Sequence, residues 1–247
     1  MKTTRILVAT ILVAALVFSF AGCSTSSTKL VMGTESGFAP FEYMDGSTMK
    51  GIDVDLANAI ATEAGKTLSI EDMPFDSLLA AVEGGKIDFA AAGMTVNDER
   101  KLSVDFSDPY FDASQVVMVK KGSSIATADD LKNKKIAVQQ GTTGDTLATA
   151  VSGATVDRPT KFADAVLELE QGKVDAVIID SFPAQIYAAQ YTDLQILAQP
   201  LDTEQYAIAV KKGNTALLAT INKVIAKMKA DGSLDAMVKK YQDTLLG

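Results

Sequence analysis

The tightest constraint on this chain is that it repeats its own pattern. Phe75, Gly85, Lys86, Ile87 and Asp88 recur, at identical spacing, as Phe162, Gly172, Lys173, Val174 and Asp175. Leu78, Leu79 and Val82 in the first stretch correspond to Ala165, Val166 and Leu169 in the second. That is the spacing of one apolar face of a helix. Each copy therefore predicts a helix, a glycine turn and a buried strand, with the strands ending near Gly93 and Asp180. Ligands of open α/β sheets bind beyond the carboxyl ends of the strands. Two such units facing one another would place Gly93 and Asp180 on the borders of one cleft.

Other segments follow the same alternation. Lys29 to Thr34 predicts a strand. Leu56, Ala57, Ile60, Ala61 and Ala64 share a helix face over 54–64, and Gly65 supplies a stop. Asp76 is placed to cap a helix carrying Leu79 and Val82, and a strand should follow over 87–92. Lys135 to Gln139 predicts a strand, Asp164 to Glu170 a helix and Val174 to Ile179 a strand. Final helices are predicted over 215–231 and 234–245. Strands alternating with helices imply an α/β fold with parallel sheets covered on both faces.

Composition removes whole classes of chemistry. The 247 residues include no His and one Cys. A Ser-His-Asp or Cys-His unit is excluded, as are imidazole metal sites and an intramolecular disulfide. The 23 Lys+Arg against 31 Asp+Glu give a net charge of −8, the opposite of a nucleic-acid-binding footprint. No nucleotide or other cofactor is expected. The loop Gln140-Gly141-Thr142-Thr143-Gly144 lacks the Lys-Ser/Thr of a phosphate-binding loop.

The N-terminus reads as an address. Lys2 and Arg5 precede an apolar run from Ile6 to Ala21, too short to span a bilayer comfortably and proportioned like a secretory signal. Ala21-Gly22-Cys23 and the Ser/Thr-rich run behind it resemble a bacterial lipobox, with Phe20 where that pattern prefers Leu. Residues 1–22 are then a signal peptide, Cys23 a lipidated anchor and 23–28 a tether. The mature body should be soluble, extracytoplasmic and held to the cell membrane by its lipid.

Several polar residues fall at predicted strand ends. Thr95 and Arg100 follow the Gly93 turn, and an arginine fork matches a carboxylate in a way that lysine does not. Arg100 could equally pair with Asp98 or Glu99. Gln139, Thr142 and Thr143 sit at a strand-to-helix turn, where backbone N–H groups favour an anion. Asp180 ends an apolar strand and needs a cation or donors in answer, unless it caps a helix. Glu35 follows the first strand, while Phe38 and Phe75 offer apolar walls or core packing. Together they describe a receptor for a zwitterion with a side-chain pocket.

These landmarks carry a resemblance. Gly33-Thr34-Glu35, Phe38-Ala39-Pro40-Phe41, Gly51-Ile52-Asp53-Val54-Asp55, Gly93 to Arg100, Asp105-Phe106-Ser107-Asp108-Pro109-Tyr110 and Val174-Asp175-Ala176 are ordered through nearly the whole mature chain. From Lys29 onward the chain resembles the polar-amino-acid binding proteins of ABC importers, extracellular solute-binding protein family 3. The resemblance implies a two-lobed periplasmic-binding-protein type II fold with a ligand cleft between the lobes. Lobe one would comprise 29–116 and 207–247 and lobe two 120–203, with 117–119 and 204–206 as hinge strands. It further implies that Arg100 binds the ligand α-carboxylate with Thr95 and the Thr142 region, and that Asp180 and the Gly93 carbonyl bind the α-ammonium. Phe38 and Phe75 would sandwich the side chain, with Glu35 reading its tip near Gln139. An acidic tip-reader favours arginine or lysine, with glutamine as the alternative. The implied partners are an amino acid and a membrane permease with a cytoplasmic ATPase, the protein itself being a monomer and no enzyme. A second resemblance, to periplasmic cyclohexadienyl dehydratases, would instead require a general acid in the cleft, with Asp180 or Glu35 as candidates.

Overall fold

The computed structural model describes residues 28–247; the signal segment and Cys23 lie outside them. The chain opens with β1 (Lys29–Thr34), a small antiparallel sheet of β2 (Gly37–Phe38), β3 (Glu42–Asp45) and β4 (Thr48–Lys50), then α1 (Ile52–Glu63). It continues through β5 (Thr67–Asp72), α2 (Leu78–Glu83), β6 (Phe89–Ala90), α3 (Arg100–Ser103) and β7 (Val104–Phe106). The long β8 (Phe111–Lys120) leads into β9 (Lys135–Ala137), α4 (Thr143–Ala150), β10 (Thr155–Asp157), α5 (Phe162–Glu170) and β11 (Ala176–Asp180). Next come α6 (Ser181–Gln190), β12 (Leu194–Ile196), β13 (Asp202–Tyr206), β14 (Ala209–Lys211), α7 (Thr215–Ala230) and α8 (Ser233–Leu246).

The sequence repeat is a structural repeat. β1-α1-β5-α2-β6 and β9-α4-β10-α5-β11 are two βαβαβ units with the same strand order, β5-β1-β6 and β10-β9-β11, parallel throughout. Each helix ends with its glycine in the left-handed region, Gly85 at φ 70° and Gly172 at φ 71°. The turns close identically, Lys86 N–H donating to Ala81 O and Lys173 N–H to Glu168 O, each at 2.9 Å. Both aspartates then pin the neighbouring strand. Asp88 accepts from Val31 N at 2.7 Å, and Asp175 accepts from Lys135 N at 2.8 Å.

The sheets are mixed rather than wholly parallel. β14 runs antiparallel to β6, and β8 antiparallel to β11. The reason is directional: β11 ends at the cleft, whereas β8 starts there as the chain arrives from the first lobe. Crossing between lobes is made by the antiparallel pair β8–β13, from Phe111↔Tyr206 to Gln115↔Asp202. Val117–Val119 pair with β11 and β12 inside the second sheet. The crossing is packed by rings: Phe41 meets Phe111 at 4.9 Å and Tyr206 at 5.0 Å between centroids.

Two local expectations change. Asp76 caps no helix, because a 3₁₀ turn over Phe75–Ser77 leads into α2; its carboxylate instead accepts from Gln140 Nε2 of the other lobe at 2.9 Å. β6 stops at Ala90 and Gly93 lies in the turn beyond it. Gly93 has φ 52°, and a Cβ there would collide with the Phe38 ring, so glycine is required on both grounds.

Candidate functional site

Between the lobes lies a narrow cavity. Glu35, Phe38, Phe75, Gly93, Thr95 and Arg100 line it from one lobe, and Gln139, Thr142, Thr143 and Asp180 from the other. All ten positions singled out in the sequence therefore meet at one place. Glu42, Ala92, Gln115 and Phe162 complete the lining.

Arg100 opens α3 with its backbone N–H held by the Asn97 side chain at 2.8 Å. Its Nη1 donates to Thr95 O at 2.7 Å, and its Nη2 reaches across to Gly141 O at 3.0 Å. The guanidinium lies over the Phe75 ring at 5.2 Å. Neither Asp98 nor Glu99 takes it; Lys101 is the partner of Asp98. Gln139 Nε2 joins the lobes again, donating to Glu35 Oε2 at 3.1 Å and to Thr160 O at 2.9 Å. Thr142 is the N-cap of α4, accepting from Asp145 N and donating to Gln139 O, so of the two threonines in this turn it is Thr143 whose hydroxyl is buried without a partner. The Thr95 hydroxyl is likewise engaged, donating to Glu204 Oε2 at 2.7 Å.

Both aromatic walls line the cavity, Phe38 stacking on Phe162 at 5.3 Å and Phe75 lying beneath Arg100.

Acids dominate the electrostatics. Among the described residues the buried carboxyls are Glu35, Glu42, Asp53, Asp180 and Glu204, and the one buried base is Arg100. Asp180 occupies the N-cap position of α6 but makes no capping bond; its carboxylate accepts from the Tyr206 hydroxyl. Burial first, and then the adjacent Glu204, push the Asp180 carboxyl well above the usual range. Glu204 is held by Gln115 Nε2 at 2.6 Å and by Thr95. Glu35 is also raised, chiefly by burial, with Gln139 and Lys161 opposing. Burial works against the Arg100 charge, and Glu204 and Asp180 support it.

With this geometry in view, the comparisons decide the family. The family model described as bacterial extracellular solute-binding proteins, family 3, matches residues 30–244. The chain belongs to this family. Membership places the protein outside the cytoplasm and makes its fold the two-lobed solute-binding one. The arginine-binding extracellular protein ArtP of Bacillus subtilis is 35% identical over 242 residues, covering 92% of this chain and 94% of that protein. An amino-acid ABC transporter substrate-binding protein of Streptococcus pneumoniae, solved with L-arginine, superposes with TM-score 0.85 at 34% identity, covering 89% of this chain and 97% of that one. An ancestral arginine-binding protein solved with glutamine gives TM-score 0.80 at 42% identity, covering 87% and 97%.

Glu42 is a cavity residue that sequence reading passed over. It lies buried beside Asp53 and Tyr110. Burial and Asp53 raise its carboxyl well above its ordinary 4.5. Asp53 itself accepts from Gly93 N at 2.8 Å, which fixes the turn. A raised acid contributes stability that is complete below its unfolded value and is lost as pH rises through its folded one. Glu42→Gln should therefore flatten the fall of Tm as pH rises above the ordinary carboxylate range, and raise Tm at the alkaline end by about 2–4 °C, the shift expected for roughly 1 kcal/mol in a chain of this size. An unchanged slope in scanning calorimetry would contradict a raised Glu42 carboxyl.

Proposed function

We propose that the protein captures a basic amino acid of the arginine type by closure of its lobes and delivers it to an ABC importer. The observation that carries this is the charge imbalance of the cavity: three carboxyls, Glu35, Glu42 and Asp180, line it against one base, Arg100, with Glu35 Oε1 lacking any hydrogen-bond partner. A zwitterion with a cationic tip answers that imbalance, whereas an acidic ligand adds to it. Arg100 would take the α-carboxylate with the Thr143 hydroxyl and the N-terminus of α4. Asp180 and the Gly93 carbonyl would take the α-ammonium. Phe38 and Phe75 would flank the aliphatic stem, Phe162 backing Phe38, and Glu35 with Gln139 would meet the tip. Because both lobes supply contacts, ligand favours the closed state by its differential affinity, and the exclusion of water strengthens each ion pair.

The protein would act as a carrier without chemistry of its own, a monomer tethered through a lipidated Cys23. One observation favours glutamine as the second reading: the Gln139 amide already donates to Glu35, so an amide tip is acceptable there.

A thermal-shift screen against the common amino acids, ornithine and citrulline, followed by calorimetry, tests the assignment. A ligand at a hundred times its Kd adds about 2.7 kcal/mol, or about 5–10 °C in Tm, and arginine should give the largest shift. Glu35→Gln should weaken arginine at least about tenfold, as loss of a buried charge partner does, while glutamine changes only a few-fold. Equal losses for both ligands would remove Glu35 from the role of tip-reader.

A further inference from the structure

Glu35 has a cavity on each side of it. One is the cleft; the other opens to solvent and is lined by Asp72, Met73, Pro74, Thr160 and Lys161. Lys161 stands in this outer vestibule with Nζ 3.9 Å from Glu35 Oε1. The Glu35 side chain is 4% exposed and that of Lys161 52%, so a buried anion is answered from outside by a mobile, hydrated cation. No hydrogen bond reaches Oε1, and Gln139 holds only Oε2. The other groups with an electrostatic hold on Glu35 are Asp72 and Asp164, both acidic, and the neutral hydroxyl of Tyr187 looks on from α6. Lys161 is also the residue immediately before α5, whose first residue, Phe162, lines the cleft cavity.

We propose that Lys161 is a built-in competitor for Glu35 and sets the selectivity of the site between cationic and neutral side-chain tips. A guanidinium or ammonium arriving from the cleft takes over Oε1 and drives Lys161 back into the vestibule, where its charge returns to water at little cost. A neutral urea or amide tip leaves the Glu35 charge unanswered and therefore needs Lys161 to stay. The same lysine thus weakens cationic ligands and supports neutral ones. The inference rests on the reading of Glu35 as the contact for the side-chain tip.

The test is calorimetry of L-arginine and its neutral isostere L-citrulline on the wild-type protein, Lys161→Met, Lys161→Arg and Glu35→Gln. Lys161 is half-exposed and engages its helix only through its backbone carbonyl, so these variants should fold. Lys161→Met should tighten arginine and weaken citrulline, each by about three- to fivefold as for a partly exposed ion pair, raising their affinity ratio about tenfold. Lys161→Arg should keep the wild-type ratio. A ratio unchanged within about twofold in Lys161→Met, or both ligands moving the same way, overturns the proposal. If Glu35→Gln collapses the ratio while Lys161→Met leaves it alone, only the part given to Lys161 fails. If Glu35→Gln leaves it alone too, or the wild-type protein binds neither ligand, the reading of the tip site fails with it.

Discussion

Arg100→Ala is expected to abolish measurable ligand binding while the protein stays folded. Truncating one member of a buried charge pair costs about 2–5 kcal/mol or more, a loss of roughly thirtyfold to several thousandfold, and the cavity offers no second buried base to take over. The guanidinium carries five donors; Thr95 O and Gly141 O engage two of its N–H directions and leave the rest of the fork for a carboxylate. The bond to Gly141 also crosses between lobes, so the variant loses part of what holds the cleft shut. Arg100→Lys separates charge from geometry: a point charge keeps the sign but cannot bridge a carboxylate and two carbonyls at once, and it should still lose at least about tenfold. Tm in the absence of ligand should change little, because Arg100 packs on Phe75 at the cleft rather than within either sheet. Calorimetry showing a loss below about tenfold for the alanine variant would contradict the assignment.

How far the site could be read from the sequence depends on what kind of signal each residue leaves. The repeated helix–turn–strand was legible because it is local: an αL glycine, an aspartate and an apolar face leave their mark within fourteen residues. From it, Gly93 and Asp180 follow as equivalent strand ends, and both do line the cavity. The same equivalence pointed at Phe162, the counterpart of Phe75, which stacks on Phe38; it went unused because an aromatic at a helix start reads first as core. Glu42, Gln115 and Glu204 left no such trace. Each is an ordinary polar residue on a strand, and what makes it part of the site is a partner on another element, Asp53 of α1 for Glu42 and the distant Thr95 for Glu204. The antiparallel strands were missed for a similar reason. The apolar run of β8 looks like that of any buried strand, and its direction is set by where the chain crosses between lobes.

Asp180→Asn should cost as much as Arg100→Ala in binding and should leave a second signature that a packing defect would not. With Glu204 and the Tyr206 hydroxyl as neighbours, Asp180 is held well above the usual carboxylate range by burial and then by Glu204. An α-ammonium set beside it favours the ionised form and lowers that value. Below the raised value, ligand binding then expels a proton. Affinity should climb as pH rises through the raised value and level off above it, and fall as pH drops below it. The calorimetric enthalpy of the wild-type protein should depend on the ionisation enthalpy of the buffer. In Asp180→Asn the amide oxygen can still accept from the Tyr206 hydroxyl but brings no charge, so affinity should drop about a hundredfold, within the range for a truncated buried pair, and the buffer dependence should shrink. Asparagine is close in shape to aspartate, so a variant of wild-type Tm with lost affinity and a flat buffer series identifies Asp180 as the ammonium contact. Lost affinity with the buffer dependence intact would move the titrating group elsewhere in the acidic cluster.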